Sequence, residues 1–410
     1  MQKGNAVKKD QRTQNFITYT LLLTASLLGL YLRCLGLDVV SGDFRDCLNV
    51  WHQEIAGAGP GLDSLLHYTG DYAMPYAFVI WLLGKLPVPF LYSLKGFHIL
   101  FDFILALMAG FIVKKLKPQS THAFCLGYCV VLLLPNVILN SSFWAQSDGL
   151  CAAFLLAAFY FWLKDRYCAM MILFGMAFSF KLQAVFFLPF LLIAYWQGKK
   201  FSLFHFLLVP LTMLVMNIPA LMAGYPLSVI FTKYVGQTGE YPWLYYFYPN
   251  LWFFFQARPY YLFSSGAMLL TVVALLLFVV LLVKKDIAID RFSGLPIALW
   301  TAYTCCFFLP SMHERYGYLC EVLAVLLALL HLRSAWLPVG MILCVLPKYL
   351  YAIDLIGNPL WLQALEAAGN TLLYMTFTCL LWQKLFSDPV ISSDRTVAYQ
   401  LSGKGRNTRC

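Results

Sequence analysis

Charge is scarce in this chain. Only 12% of its 410 residues are Asp, Glu, Lys or Arg, against roughly 25% in a soluble domain. Acids are scarcer still, 19 against 29 Lys and Arg. Metal-site and disulfide patterns are missing. The 12 cysteines lie scattered, mostly inside apolar segments (Cys125, Cys129, Cys151, Cys305, Cys306), at no zinc or disulfide spacing. They read as packing groups. There is no Gly-rich phosphate loop, no H-E-x-x-H helix, no internal repeat and no low-complexity tract. Alternating apolar runs are absent too, which excludes a β-barrel.

What the chain has is apolar surface, with 61% hydrophobic residues. Apolar runs of roughly 20 residues recur along its length, each long enough to cross a bilayer as a helix. The fold class this predicts is an all-α polytopic membrane protein. The first run, 16–37, follows Lys3, Lys8, Lys9 and Arg12. It is too long for a signal-peptide core and lacks a small-x-small cleavage site, so it reads as a retained span. The formal charge of +10 does not mark a nucleic-acid partner. The cations are spread among short loops, the footprint of membrane orientation.

Those cations set the expected topology. Lys114-Lys115-Leu116-Lys117, Lys164-Asp165-Arg166, Lys199-Lys200, Lys284-Lys285, Arg333 and the tail Lys404, Arg406 and Arg409 all fall on the cytoplasmic side if both termini do. That takes about 12 spans. They are predicted near 16–37, 93–113, 121–140, 149–163, 168–181, 183–197, 203–222, 261–283, 294–310, 317–332, 335–352 and 370–386. The run 76–90 is short and broken by Gly84, Pro87 and Pro89. It is predicted to lie on the outer surface, within a long first outer loop over 38–92. A second outer loop, 224–258, carries the run Tyr241-Pro242-Trp243-Leu244-Tyr245-Tyr246, suited to the headgroup layer. Residues 1–385 then form one membrane domain and 386–410 a polar cytoplasmic tail. The localisation this implies is a multi-pass integral membrane protein; short loops favour a bacterial plasma membrane, while the same layout serves an endoplasmic reticulum enzyme.

On this topology distant polar clusters meet at the outer face. They are Asp43 and Asp46; Gly70-Asp71-Tyr72; Trp144-Ala145-Gln146-Ser147-Asp148; Lys181-Leu182-Gln183; and His313-Glu314-Arg315. Each has a plainer reading. Asp43, Asp46, Asp71 and Asp148 can be solvated or capping acids. His313-Glu314-Arg315 can be an interfacial ion pair and Lys181 a snorkelling cation. Asp102, inside a span, reads as a buried packing group. Convergence on one face is what favours a site. Carboxylates can take a proton from an acceptor hydroxyl. The cations Arg315 and Lys181, with His313, can neutralise a phosphate leaving group. Together they suggest glycosyl transfer from a lipid-phosphate sugar.

The motifs also carry a resemblance. Gly42-Asp43-Phe44 after the first span resembles the first-loop acid of GT-C fold membrane glycosyltransferases. Asp71-Tyr72-x-x-Pro75 and Met312-His313-Glu314-Arg315 look like motifs of the lipid-phosphate-glucose-dependent enzymes of N-glycan assembly. The set that includes Asn140 to Asp148, Phe178-Ser179-Phe180-Lys181-Leu182-Gln183 and Leu309 to Tyr316 more closely resembles a bacterial family related to the GPI-anchor second mannosyltransferase. The likeness spans about residues 40–320. It implies a GT-C-like fold with surface helices in the first outer loop, and an inverting, metal-independent transfer without cofactor. The donor would be a polyprenyl-phosphate hexose of mannose or glucose type, the acceptor a glycan or glycolipid. It implies Asp43 as general base and Arg315, His313 and Lys181 at the donor phosphate. Asp46, Asp71, Tyr72, Gln146, Asp148, Gln183 and Glu314 would position substrate. Two departures stand out: Ala73-Met74-Pro75 where the family has a Pro-Pro pair, and Trp144-Ala145-Gln146 where it has Trp-Gly-Gln. No Asp-x-Asp occurs in the first loop, since Asp43 and Asp46 are three apart.

Two other functions fit many spans with charged residues: a transporter or flippase of lipid-linked glycans, and a lipid-binding assembly subunit without activity. Transporters more often place polar groups at the midplane.

Overall fold

A computed structural model describes residues 2–237 and 241–386, with side chains described from Thr13. The predicted tail, 386–410, lies outside the described residues but for its first. The described residues are helical throughout and contain no β-strand; one isolated parallel bridge joins Tyr245 to Met312. All eleven described cysteines are free.

Among the described residues, five helical segments are long and apolar enough to cross a membrane. They are Thr13–Cys34, Phe90–Leu116, Leu203–Ala223, Tyr260–Lys284 and Leu332–Ala352. A sixth forms if Ala123–Leu132 and Pro135–Phe143, bent by 55°, count as one. Pro135 explains the bend, because a proline has no amide proton to continue the ladder. The remaining predicted spans are also helical but shorter: Asp148–Leu163, Tyr167–Phe180, Leu182–Gly198, Gly294–Phe308 and Tyr318–Leu330. Leu360–Phe386 is long but less apolar. The run after Tyr76 forms Met74–Leu83, ten residues, about 15 Å of helix and half a bilayer core.

Two apolar cores organise the chain. The larger joins the helices from Phe90–Leu116 onward and includes Leu105, Phe159, Phe190, Trp300 and Leu323. The smaller lies under the first loop. There Phe44, Leu48, Ile55, Leu65, Ala77 and Ile80 pack with Leu94, Ala220, Ile230 and Tyr234. The first loop is therefore a packed unit seated on the helix Val229–Gln237. Lys233 Nζ donates to the Gly70 carbonyl at 2.7 Å and Gln237 Nε2 to that of Asp71 at 2.7 Å.

The exit from the first helix is fixed by charge. Lys95, fully buried, donates from Nζ to the carbonyls of Gly36, Leu37 and Val39 at 2.7, 3.1 and 2.6 Å. These are carbonyls a helix end leaves unpaired. Gly36 itself lies against the Phe143 ring, where a Cβ would find no room. Two residues after Val39, Ser41 Oγ donates to the Trp144 carbonyl at 2.8 Å and accepts from the Phe44 amide. These contacts deliver Asp43 to the Trp144 segment.

Candidate active site

The site is assembled at four breaks in helix. Asp43 precedes a π-helical turn, Phe44–Leu48. Trp144, Ala145 and Gln146 fill the gap between the π-helical turn Leu139–Phe143 and the helix Asp148–Leu163. Lys181 ends Tyr167–Phe180 in extended conformation. Arg315 lies in the turn between Gly294–Phe308 and Tyr318–Leu330. π-Helical turns are rare and recur at functional sites.

Asp43 is held from two sides. Its Oδ2 accepts from Trp144 Nε1 at 3.0 Å and from Gln146 Nε2 at 2.6 Å. Arg315 Nη1 stands 3.6 Å from the same oxygen. Gln146 is fixed in turn, because its Oε1 accepts from the Tyr72 hydroxyl at 3.2 Å. The guanidinium lies over the Trp144 ring, 5.3 Å from its centroid. Behind Arg315 sits Asp148. Its Oδ1 accepts from Lys181 Nζ at 2.6 Å, and its Oδ2 accepts from Asn140 Nδ2 at 3.0 Å with Arg315 Nε 3.7 Å away. Lys181 also lies over the Tyr72 ring at 5.7 Å.

A single ionic chain thus runs Asp43–Arg315–Asp148–Lys181. It is buried except at its outer end, where the Asp43 side chain is 41% exposed. Arg315 Nε makes no hydrogen bond and is turned toward Asp148 Oδ2, 3.7 Å away, so the guanidinium is held electrostatically from behind.

Two cavities flank Arg315. The larger, about 640 Å³, is lined by Asp43, Asp71, Tyr72, Gln146, Glu314 and Arg315 among others. The smaller, about 290 Å³, keeps Lys181, Gln183, His313 and Arg315 at one end. The rest of its wall is mostly apolar, including Phe180, Leu182, Phe186, Met268 and Met312, with Asp71, Gln237 and Ser311 among its polar members.

The structure therefore brings together Asp43, Arg315, His313, Lys181, Asp71, Tyr72, Gln146, Asp148, Gln183 and Glu314. It does not bring in Asp46. That carboxylate forms an exposed pair with Arg45 at 2.8 Å and lines neither cavity. The reason is local: the wider π-helical turn Phe44–Leu48 turns Asp46 off the face it would share with Asp43 in an α-helix. Asp148 is placed differently from the expectation of a hydroxyl-positioning group. It lines neither large cavity and instead orients Lys181 and Arg315 from behind.

His313 also differs from the expected phosphate-neutralising cation. Burial, then the Arg315 and Lys181 charges, push its imidazole well below the usual range. It stays neutral and can only donate or accept a hydrogen bond. It sits edge-on to Tyr241 and Tyr246, centroids 4.7 and 4.5 Å away. The unfolded chain takes up this proton below about pH 6.5, whereas the folded chain does not. Folded stability from this group is thus present above that pH and lost as pH falls toward the depressed value. Stability of His313→Asn between pH 7 and 5, followed by chemical unfolding in detergent, should fall less steeply than that of the wild type. Glu314, bonded to Arg315 at 3.1 Å, is raised by burial, which outweighs Arg315.

Ala145 sits in a backbone conformation that favours glycine. It adopts φ 65° and is fully buried, the left-handed region that glycine enters freely. An L-residue there costs about 1–2 kcal/mol. Replacement by glycine relieves that cost, but loses about 0.8 kcal/mol of methyl burial and about 0.5–1 kcal/mol of chain entropy. Ala145→Gly should therefore unfold within about 1 kcal/mol of the wild type. Ala145→Val should lose about 1–3 kcal/mol to overpacking.

The residues that sequence reasoning missed are Trp144 as a donor to Asp43, Asn140 behind Asp148, Tyr241 and Tyr246 around His313, and Lys348 in the larger cavity. Trp144 and Asn140 lie inside the polar run Asn140 to Asp148. Lys348 carried no local signal. Among the described residues, no three His, Cys, Asp or Glu side chains are grouped to hold a metal ion. The chain matches no protein-family model and no curated protein.

Proposed function

We propose that this protein is an inverting glycosyltransferase that moves a hexose from a polyprenyl-phosphate donor to a glycan or glycolipid on the outer face of a membrane. The observation that carries the reading is the position of the Asp43–Arg315–Asp148–Lys181 chain at the junction of a polar and a mostly apolar cavity. One substrate is then expected to be water-borne or amphiphilic and the other lipid.

The apolar cavity borders Tyr260–Lys284, whose Leu262, Leu269, Val273, Leu276 and Val280 are all exposed. A polyprenyl chain entering beside that helix would bring its phosphate to Lys181 and the Arg315 guanidinium, which both line this cavity. The acceptor hydroxyl would reach Asp43 from the larger cavity. Its proton passes to the carboxylate as its oxygen attacks the anomeric carbon. The bond from that carbon to the phosphate oxygen breaks, and its electron pair leaves on polyprenyl phosphate. Arg315 and Lys181 stabilise that growing negative charge in a site sheltered from water. Asp148 keeps both cations in place.

On this reading the short apolar helices also cross the membrane, tilted or in a locally thinned bilayer. With the long segments and Leu360–Phe386 they give the twelve-span topology, with both termini cytoplasmic. The mature fold would be GT-C-like.

The deciding assay uses purified protein in liposomes with radiolabelled polyprenyl-phosphate mannose or glucose and a set of glycan acceptors. Covalent transfer of label supports the reading. Movement of the intact donor between leaflets without any transfer sinks it in favour of a flippase.

A further inference from the structure

The larger cavity extends well past Asp43, to a buried lysine that the proposed chemistry does not use. Lys348, on the helix Trp336–Ala352, lines the cavity with Tyr351 from the same helix. Its ammonium is 2.7 Å from Glu366 Oε2 and donates to Asn358 Oδ1 at 2.6 Å. Both ionic side chains are almost fully buried, at 1% and 3% exposure. The pair is electrically balanced, so this end of the cavity offers a polar donor without net charge.

An aromatic wall rises beside it. Tyr241 and Tyr246 have centroids 4.8 Å apart, Tyr246 and Phe247 5.4 Å, and Phe247 and Tyr351 6.2 Å. Phe247 is held at φ 68°. A bulky residue there is strained, and such strain persists only where the surroundings over-determine it. Tyr241, Tyr246 and Phe247 come from a segment about a hundred residues before the helix that carries Lys348 and Tyr351, so the arrangement is made by tertiary packing.

A pyranose has an apolar face of C–H groups and a rim of hydroxyls. Aromatic rings cover the first, and fixed donors and acceptors read the second. We propose that this end of the cavity is a subsite for an uncharged sugar of the acceptor, seated against the Tyr246–Phe247–Tyr351 wall with a hydroxyl on Lys348. An acidic sugar is disfavoured because Glu366 already neutralises the lysine, leaving no net charge to offset desolvation of a carboxylate. The assignment of that sugar to the acceptor rests on the glycosyltransferase reading; the sugar site itself does not.

The test measures binding separately from transfer. Methyl mannoside, methyl glucoside and glucuronate are titrated by calorimetry against the purified full chain in detergent. Expected are saturable binding of a neutral glycoside, weaker binding of glucuronate, and a loss of at least about tenfold in Tyr351→Ala. That variant alters a side chain 42% exposed and leaves the ion pair intact. Lys348→Met with Glu366→Gln removes both charges together and should weaken binding similarly. In the transfer assay Tyr351→Ala should raise the KM for acceptor and leave the donor KM alone. The subsite is refuted if no neutral glycoside binds, if glucuronate binds best, if neither variant weakens binding, or if only the donor KM moves. Glycoside binding with no transfer from any donor would refute the glycosyltransferase reading while leaving the sugar site standing.

Discussion

Asp43→Asn should fold normally and transfer hexose about 10²–10⁴ times more slowly than the wild type, the usual contribution of a general base. The substitution is close to isosteric. An amide oxygen still accepts from Trp144 Nε1 and Gln146 Nε2, the two bonds that fix the side chain now. What is lost is the ability to take the acceptor's proton. Arg315 loses one neighbouring charge but keeps Glu314 at 3.1 Å and Asp148 at 3.7 Å. Donor affinity should therefore change little, and the loss should fall on kcat. Single-turnover transfer in liposomes, with donor binding measured alongside, separates the two. A variant that folds and transfers at close to the wild-type rate removes Asp43 from the role of base. Asp46→Asn is the matched control. It touches an exposed pair with Arg45, and it should leave the rate unchanged.

The contrast between these two acids shows how much of the site the sequence carries. Both are acids after the first apolar run, three residues apart, and composition cannot rank them. Helical periodicity cannot either, since residues three apart share a helix face. What separates them is the π-helical turn Phe44–Leu48 and the pairing of Ser41 with Trp144 a hundred residues away. That is tertiary information. Lys181, Gln183, Gln146 and the 313–315 turn were legible because polar residues stand out at the ends of apolar runs. Lys348 was not, since a lysine near a helix end reads equally well as a snorkelling side chain.

Helix existence was legible for the same reason, but helix length was not. Phe90–Leu116 and Leu360–Phe386 run past the predicted 93–113 and 370–386, while Pro135 breaks the predicted 121–140 from within. The neutral state of His313 was also hidden. Its neighbour Glu314 suggests an ion pair, yet the two groups are 4.0 Å apart and the stronger influences are burial, Arg315 in the same turn and Lys181 from elsewhere in the fold.

The second large effect is on stability. Arg33→Met should destabilise the protein by about 3–5 kcal/mol, the cost of stranding one member of a buried ion pair. Arg33 and Asp102 meet at 2.8 Å with side chains 0% and 1% exposed. Asp102 was expected to be a packing group, and the structure supplies its partner. The double variant Arg33→Met with Asp102→Leu removes both charges and should recover part of the loss. It cannot recover all of it. Arg33 Nη2 also donates to the Leu132 carbonyl at 3.0 Å, beside the bend before Pro135. A carbonyl left bare there keeps about 1–3 kcal/mol of the penalty. Unfolding of the two variants in mixed detergent should therefore order as wild type, double, single. A double variant less stable than the single one would mean that the carbonyl contact, not the ion pair, is what Arg33 contributes. The pair also reaches the active site by a short route. Asp102 accepts from Ser141 Oγ, and the next residue back in the same π-helical turn is Asn140, which holds Asp148. Loosening Arg33 should thus disturb the carboxylate that positions Lys181 and Arg315, and the single variant should lose transfer activity before it loses its fold.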